Sequence, residues 1–290
     1  AANGFDPTHS WLWGFGAAGG GMTSAFVWFV LQQGRLHGVG DRDLVDRGEW
    51  LKGFGVVAVS GVLLLALLAS DRPEFAFLQY LLVALPIAAI AYFGTRQDLE
   101  LQRIGAIFVF FLAGMIFWAA FEQAGLSIAL VADTLTDNSV AGFDVPSAWY
   151  QSLNPLFVML LAPVFAAIWL RLGSRQPSTP IKFSLGLALL ASSFLLMVPA
   201  AYLTATGKLS PLWLVGLFAL QTMGGLMLGG WFLGAAFGNK LAGILGSGFK
   251  SDDPGQLAMF FAGIAGMTGG AALAMLLASG WVKRLMNGIR

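Results

Sequence analysis

The chain has 290 residues, 57% of them hydrophobic and 11% charged, with a mean hydropathy of +0.76 and a formal net charge of +1. Soluble domains carry about 25% charged residues, so this composition suits lipid as the solvent, and it shows no basic stripe for nucleic acid. The absence of cysteine excludes disulfides and thiolate sites, and the two histidines, His9 and His37, lie outside apolar runs, which argues against a buried metal site.

The first ten residues, AANGFDPTHS, have no initiator Met and no basic n-region. They do not read as a signal peptide, and the expectation is a processed chain or one that begins partway through a longer protein. Eight apolar segments follow, at about 11–33, 53–70, 75–93, 104–131, 146–172, 181–206, 211–246 and 256–282. Crossing a bilayer takes about 20 apolar residues, so the fold class expected is all-α, a polytopic transmembrane helical bundle. Asp71, Arg72 and Pro73 join the second and third segments as a tight hairpin. The seventh segment is too long for one crossing and short for two with a turn.

The first segment contains Gly14, Gly16 and Gly19 in a G-x-G-x-x-G pattern. A dinucleotide fingerprint needs a strand before it and a soluble βαβ unit. Here the glycines sit inside an apolar run, where small residues let helices approach closely. Gly263, Gly266, Gly269 and Gly270 read the same way.

Orientation follows from the basic residues of short loops. Arg35, Arg42, Arg47 and Lys52, then Arg96 and Arg103, then Arg171, Arg175 and Lys182, then Lys283, Arg284 and Arg290 mark one side. Residues 132–145 have no base and carry Asp133, Asp137 and Asp144. The basic side is expected in the cytoplasm. If 211–246 crosses once, the basic C-terminus is forced outside. If it folds back, at Gly224-Gly225 or Gly229-Gly230, that terminus stays inside. Charge alone leaves both open.

The fourth segment contains FWAAFEQAG, residues 117–125, and Glu122 is the sole charge between residues 104 and 131. A charge at a span centre costs about 2.5–3.5 kcal/mol on insertion scales, so it needs a reason. On a regular helix Trp118, Glu122 and Gly125 would share a face, with Gln123 one step round. Ala113, Ala120, Ala124 and Ser127 form a small-residue stripe suited to packing. Glu122 is either a structural polar residue paired inside the bundle or a group that takes and releases a proton. Burial disfavours a charged carboxylate and a nearby arginine favours it, so a partner that comes and goes couples protonation to conformation.

In the fifth segment Pro155 cannot donate to the carbonyl of Gln151, and a kink or loosening is expected there. Asn154 either lines a polar pocket or satisfies that kink. Trp231, amid Gly229, Gly230 and Gly234, is a third candidate, with ordinary packing as the alternative. No nucleophile–base pair or metal-ligand set is visible, so neither enzymatic activity nor a cofactor is expected.

FWAAFEQAG, WYQSLNPLFVMLLAP (149–163), RLGSRQPSTPIKFSLGL (171–187) and WFLGAAFGNKLAG (231–243) together resemble the proton-dependent oligopeptide transporters of the major facilitator superfamily. WLWGFG (11–16) resembles the sixth bundle helix of that family, and the second and third segments resemble a helix pair inserted between its two halves. The resemblance implies the C-terminal half of such a transporter plus an inserted helix hairpin. It divides the chain into residues 1–33, 34–103 with the inserted pair, and a C-terminal bundle at 104–290 shortened around 211–246. It implies a multi-pass protein of the bacterial inner membrane that carries di- and tripeptides with protons by alternating access.

Residue by residue, Glu122 matches an acid implicated in gating and proton movement, and Trp118 an aromatic of that region. Asn154 matches a residue at the peptide amino end, and Trp231 a pocket tryptophan. Two departures accompany the match. The family's N-terminal half has no counterpart here, so the partners implied include a complementing N-terminal helical bundle beside protons, peptide and the lipid bilayer. Between LQTMG (220–224) and GLMLGGW (225–231) about twenty residues of the family pattern are absent, with the glutamate expected there. A non-transporting fragment, or half of a split transporter, is the alternative.

Overall fold

The computed structural model describes residues 99–140, 142–228 and 235–286, together with isolated helical positions between 20 and 31 and at 88 and 92. Most of the first helix, nearly all of the inserted pair, and Trp231 therefore lie outside the described residues. The chain divides into two units, Ala1–Ala69 and Ser70–Arg290. In the first, the Ser24 hydroxyl donates to the Gly20 carbonyl at 2.8 Å, a bond one helical turn long.

The second unit is a helical bundle. Among its described residues the α-helices are α1 (Leu99–Phe121), α2 (Ser127–Leu130), α3 (Leu153–Leu172), α4 (Thr179–Leu203), α5 (Leu212–Leu228), α6 (Ala235–Gly246) and α7 (Pro254–Leu285). Gln102–Leu135, Ser147–Arg175, Thr179–Leu203 and Pro254–Leu285 are long and apolar enough to cross a membrane. These four correspond to the apolar segments at 104–131, 146–172, 181–206 and 256–282. A two-residue ribbon, β1 (Ser139–Val140) against β2 (Phe143–Asp144), lies in the Asp-rich connection and turns through Gly142 at φ 82°.

Lipid is as apolar as a leucine side chain, so close packing holds these helices together more than hydrophobicity does. The α4–α7 contact is the most extensive, with α5 against the other side of α4 and α6 against α1. Phe117, Phe183, Phe194, Phe218 and Phe261 are fully buried. The Ser184 hydroxyl donates to the Ala272 carbonyl at 2.7 Å, tying α4 to α7. Gly269 meets Ala191 at that crossing, whereas Gly263, Gly266 and Gly270 have nothing within 4 Å among the described residues. Of the four glycines, Gly269 is therefore the one that meets a neighbour among the described residues.

Contacts give each helix a direction. Phe110 of α1 packs on Phe183 of α4, and Phe117 lies at Gly224 of α5. Gly216 of α5 meets Leu196 while Gly224 meets Leu190, so α5 is antiparallel to α4. Gly238 meets Met115 and Trp118, and Gly246 meets Gln123 and Leu126, so α6 is parallel to α1. The chain therefore folds back between α5 and α6. Helix α5 continues through Gly224-Gly225, so the chain does not reverse at that pair. Helix α7 then runs antiparallel to α4 and ends with Lys283 and Arg284, cations that suit a helix C-terminus.

Candidate functional site

The apolar run that holds Glu122 is not one regular helix. Helix α1 stops at Phe121, and Glu122–Gly125 is a 3-10 turn. Leu126 departs from helical geometry at φ −111°, ψ −97° before α2 and a π turn at Val131–Leu135. A break of this kind frees backbone carbonyls at mid-span, which survives in a membrane only where protein or a polar cavity satisfies them.

Gln123 and Gln151 supply that satisfaction. Gln123 is fully buried. Its amide donates to Ala242 of α6 at 2.8 Å and to Ala119 at 3.3 Å, and its oxygen accepts from the Ser127 hydroxyl at 2.7 Å. It is thus a bracket between the broken helix and α6. Gln151 donates to the Ala124 carbonyl at 2.6 Å, joining the entry to α3 onto the same turn. Sequence reading placed Gln123 beside Glu122 without a role and passed over Gln151. Their signal was polarity in apolar company.

Glu122 is half-buried and has no hydrogen-bond or ion-pair partner among the described residues. Arg103 has a buried Nε that is also unpartnered, but it lies 19 residues down the helix, roughly 28 Å away. Trp118, one turn before Glu122, is half-buried with its ring 5.3 Å from Phe121 and 5.9 Å from Phe117. Its backbone lies against Gly238, where an added Cβ would sit 2.5 Å from Trp118 Cβ. Gly125 is exposed, since the 3-10 turn does not keep the spacing of an α-helical face.

Asn154 is half-buried and makes no hydrogen bond among the described residues. It lies three residues after Gln151, so it follows on the side of the helix that meets the Glu122 turn. Ser147–Ser152 is a 3-10 helix, and the α-helical geometry starts at Leu153. Pro155 therefore sits in the first turn of α3, where its missing N–H is least costly. Pro163 is the proline inside that helix. Gln221 of α5, which the sequence reading did not single out, is fully buried with both amide atoms unpartnered among the described residues.

The structure thus brings the turn of Glu122 and the entry turn of Asn154 together, with Trp118 below them. Among the described residues no group of His, Cys, Asp or Glu could hold a metal ion.

A family model described as "PTR2: POT family" matches residues 56–247. Peptide transporter YePEPT of Yersinia enterocolitica is 30% identical over 330 positions, covering 97% of this chain and 64% of the relative. That alignment is longer than the 290 residues of the chain, so at least 40 positions of the relative fall in gaps along it. A di-/tripeptide transporter of Lactococcus lactis subsp. cremoris is 38% identical over 167 residues, 56% of this chain and 32% of the relative. A crystal structure of a mutant peptide transporter POT in complex with alafosfalin superposes with a TM-score of 0.67 at 30% identity, covering 95% of this chain and 62% of that one. The chain spans less than two thirds of the length of each.

Proposed function

The chain belongs to the POT family, and on that premise we propose that it is the C-terminal portion of a proton-coupled di- and tripeptide symporter working by alternating access. Glu122 is the proton-coupling and gating residue. Trp118, Asn154 and Trp231 belong to the peptide site, and Pro155 shapes the entry to α3. The division into residues 1–33, an inserted pair within 34–103 and a bundle from 104 follows the same family pattern. The protein is multi-pass, and its basic end faces the cytoplasm of a bacterial inner membrane.

The observation that carries this reading is the break in α1 at Glu122. Transporters of this kind place substrate and ion sites near the midplane, where helices are interrupted. A carboxyl group there, with no partner among the described residues, is available to an arginine from a facing bundle. The arginine favours the carboxylate, and its withdrawal favours the protonated acid. Rocking of the two bundles then takes up a proton on one side and releases it on the other. Asn154, on the turn held against Ala124 by Gln151, can accept from a peptide ammonium or donate to a peptide carbonyl.

The short α5–α6 fold-back favours a second element of the reading: this chain does not transport alone. Residues 211–246 are about 36 in number, fewer than two full crossings of about 20 apolar residues each with a turn between them. Uptake of a labelled dipeptide into proteoliposomes under an inward proton gradient tests both points. The chain alone should accumulate nothing above empty vesicles. Co-reconstituted with the N-terminal bundle of a relative it should accumulate peptide, and Glu122→Gln should abolish this. Gradient-driven uptake by the chain alone refutes the need for a partner. Uptake by the complemented pair that survives Glu122→Gln refutes the role of Glu122.

A further inference from the structure

At the end of the bundle opposite the Asp-rich ribbon, three spans terminate around one cavity of about 300 Å³. Its lining comes from the α3–α4 connection (Gly173, Ser174, Gln176, Pro177, Ser178), the first turn of α4 (Thr179, Lys182) and the last turn of α7 (Lys283). Among the described residues two cations line it and no carboxylate does. Lys182 is held in place: its ammonium donates to Gln176 Oε1 at 2.9 Å and lies 4.3 Å over the Trp169 ring. Gln176 is fixed in turn by its amide, which donates to the Trp169 carbonyl at 2.8 Å.

The hydroxyls of Ser174, Ser178 and Thr179 make no hydrogen bond among the described residues, and Ser178 does not cap α4 with its side chain. Pro180 has no N–H and the Lys182 N–H donates to the Ser178 carbonyl, so in the first turn of this 25-residue helix it is the Thr179 N–H that is left open at the cavity. Lys283 is exposed and has no ion-pair partner among the described residues. Arranged lysines, free hydroxyls and a helix N-terminus are complementary to a phosphate group.

We propose that this cavity binds a phosphate-bearing anion, and that an anionic lipid headgroup such as phosphatidylglycerol supplies it. The location selects the lipid over free phosphate. All three lining elements are span ends, and Trp169 and the half-exposed Trp281 lie at the depth where aromatic rings mark the membrane interface. Basic pockets between helices at that depth are suited to headgroups. Arg171, Arg175 and Arg284 lie nearby in sequence but do not line the cavity.

Native mass spectrometry of the 290-residue chain, released from micelles doped with phosphatidylglycerol or phosphatidylcholine, reads the site directly. Wild type should retain phosphatidylglycerol and not phosphatidylcholine. Lys283→Ala changes an exposed side chain and should weaken retention roughly fivefold, the effect of one surface lysine on an anionic lipid. Lys283→Arg should keep it, and Arg284→Ala should leave it near wild type. Equal retention of both lipids, or retention unchanged in Lys283→Ala, overturns the proposal. So does an equal loss in Arg284→Ala, which would mean diffuse surface charge. Displacement of the lipid by millimolar inorganic phosphate would show that the site takes the free anion instead, overturning the lipid source.

Discussion

Gly186 of α4 and Gly224 of α5 cross backbone to backbone: a Cβ added to either would stand 2.8 Å from the carbonyl oxygen of the other. At Gly186 it would also collide with the Leu228 side chain. At Gly224 the two backbones therefore meet directly, and the Leu228 side chain packs onto Gly186 beside that crossing. Small residues of this kind set how closely membrane helices approach.

Gly186→Ala should force α4 and α5 apart and lower stability by about 1–3 kcal/mol, the usual cost of overpacking. Gly263→Ala on α7, with nothing within 4 Å of the added methyl, is the matched control and should be near neutral. Thermal unfolding in detergent compares the two. Similar losses at both sites would mean that the α4–α5 crossing is not this tight.

Adjacent polar residues at the α1 break should behave in opposite ways. Gln123→Leu removes the bond to the Ala242 carbonyl and the acceptor of Ser127, leaving buried groups unpaired. It should cost about 1–3 kcal/mol. Glu122→Gln touches no partner among the described residues and should stay within about 0.5 kcal/mol of wild type. A large loss from Glu122→Gln in the isolated chain would point to a partner within it.

Gln221 presents the reverse case. A buried amide with neither atom bonded is a cost the fold carries. Gln221→Leu keeps much of the volume and should raise stability by about 1–3 kcal/mol in the same assay. A loss instead would show that the amide is satisfied, for instance by a buried water.

The spans were legible because length and hydropathy suffice. Helices α3, α4 and α7 end within a few residues of Leu172, Thr206 and Val282, where apolarity gives way to charge or turn residues. The odd length of 211–246 marked it as irregular but left a single crossing and a fold-back both open, and the opposed directions of α5 and α6 decide for the fold-back. The 3-10 break at Glu122 was not legible, because the run around it stays apolar and contains no proline. Nor could periodicity tell which glycines have a neighbour: Gly269 and Gly270 are adjacent in sequence, yet only the first faces α4. Gln123 looked like a companion of Glu122, and its role emerged only when α6 was seen beside it. The candidate site is tertiary in this sense, with its polar types readable and their partners not.

Asp253 caps α7 from the N-terminal side. Its Oδ1 accepts from the Gly255 N–H at 2.8 Å and the Gln256 N–H at 3.3 Å, and its Oδ2 accepts from the Gln256 side chain at 3.0 Å. The Gln256 side-chain bond, then those two backbone bonds and Lys250, hold the carboxyl below the usual 3.8. A depressed pKa stabilises the fold above the ordinary aspartate value, and that contribution is lost as pH falls through the folded value. Wild type should therefore lose helix stability below about pH 4 relative to Asp253→Asn, which still caps but does not titrate. Parallel melting curves for the two proteins between pH 6 and 3 would contradict this.

The fold-back makes a topological claim that charge alone could not. Because α6 runs parallel to α1, the α6–α7 connection lies at the same end of the bundle as the β1–β2 ribbon, and the α3–α4 connection lies at the other. The chain has no cysteine, so single replacements report cleanly. Ser139, Ser247 and Ser174 are all exposed, and serine to cysteine changes one atom. In intact cells Ser139→Cys and Ser247→Cys should react with an impermeant maleimide, while Ser174→Cys should react only after the membrane is opened. The basic residues beside Ser174 set that sign, since they are retained in the cytoplasm. A single crossing by 211–246 would instead protect Ser247→Cys together with Ser174→Cys. Labelling of Ser247→Cys with the Ser139→Cys group thus separates the two topologies, and labelling with the Ser174→Cys group would sink the fold-back.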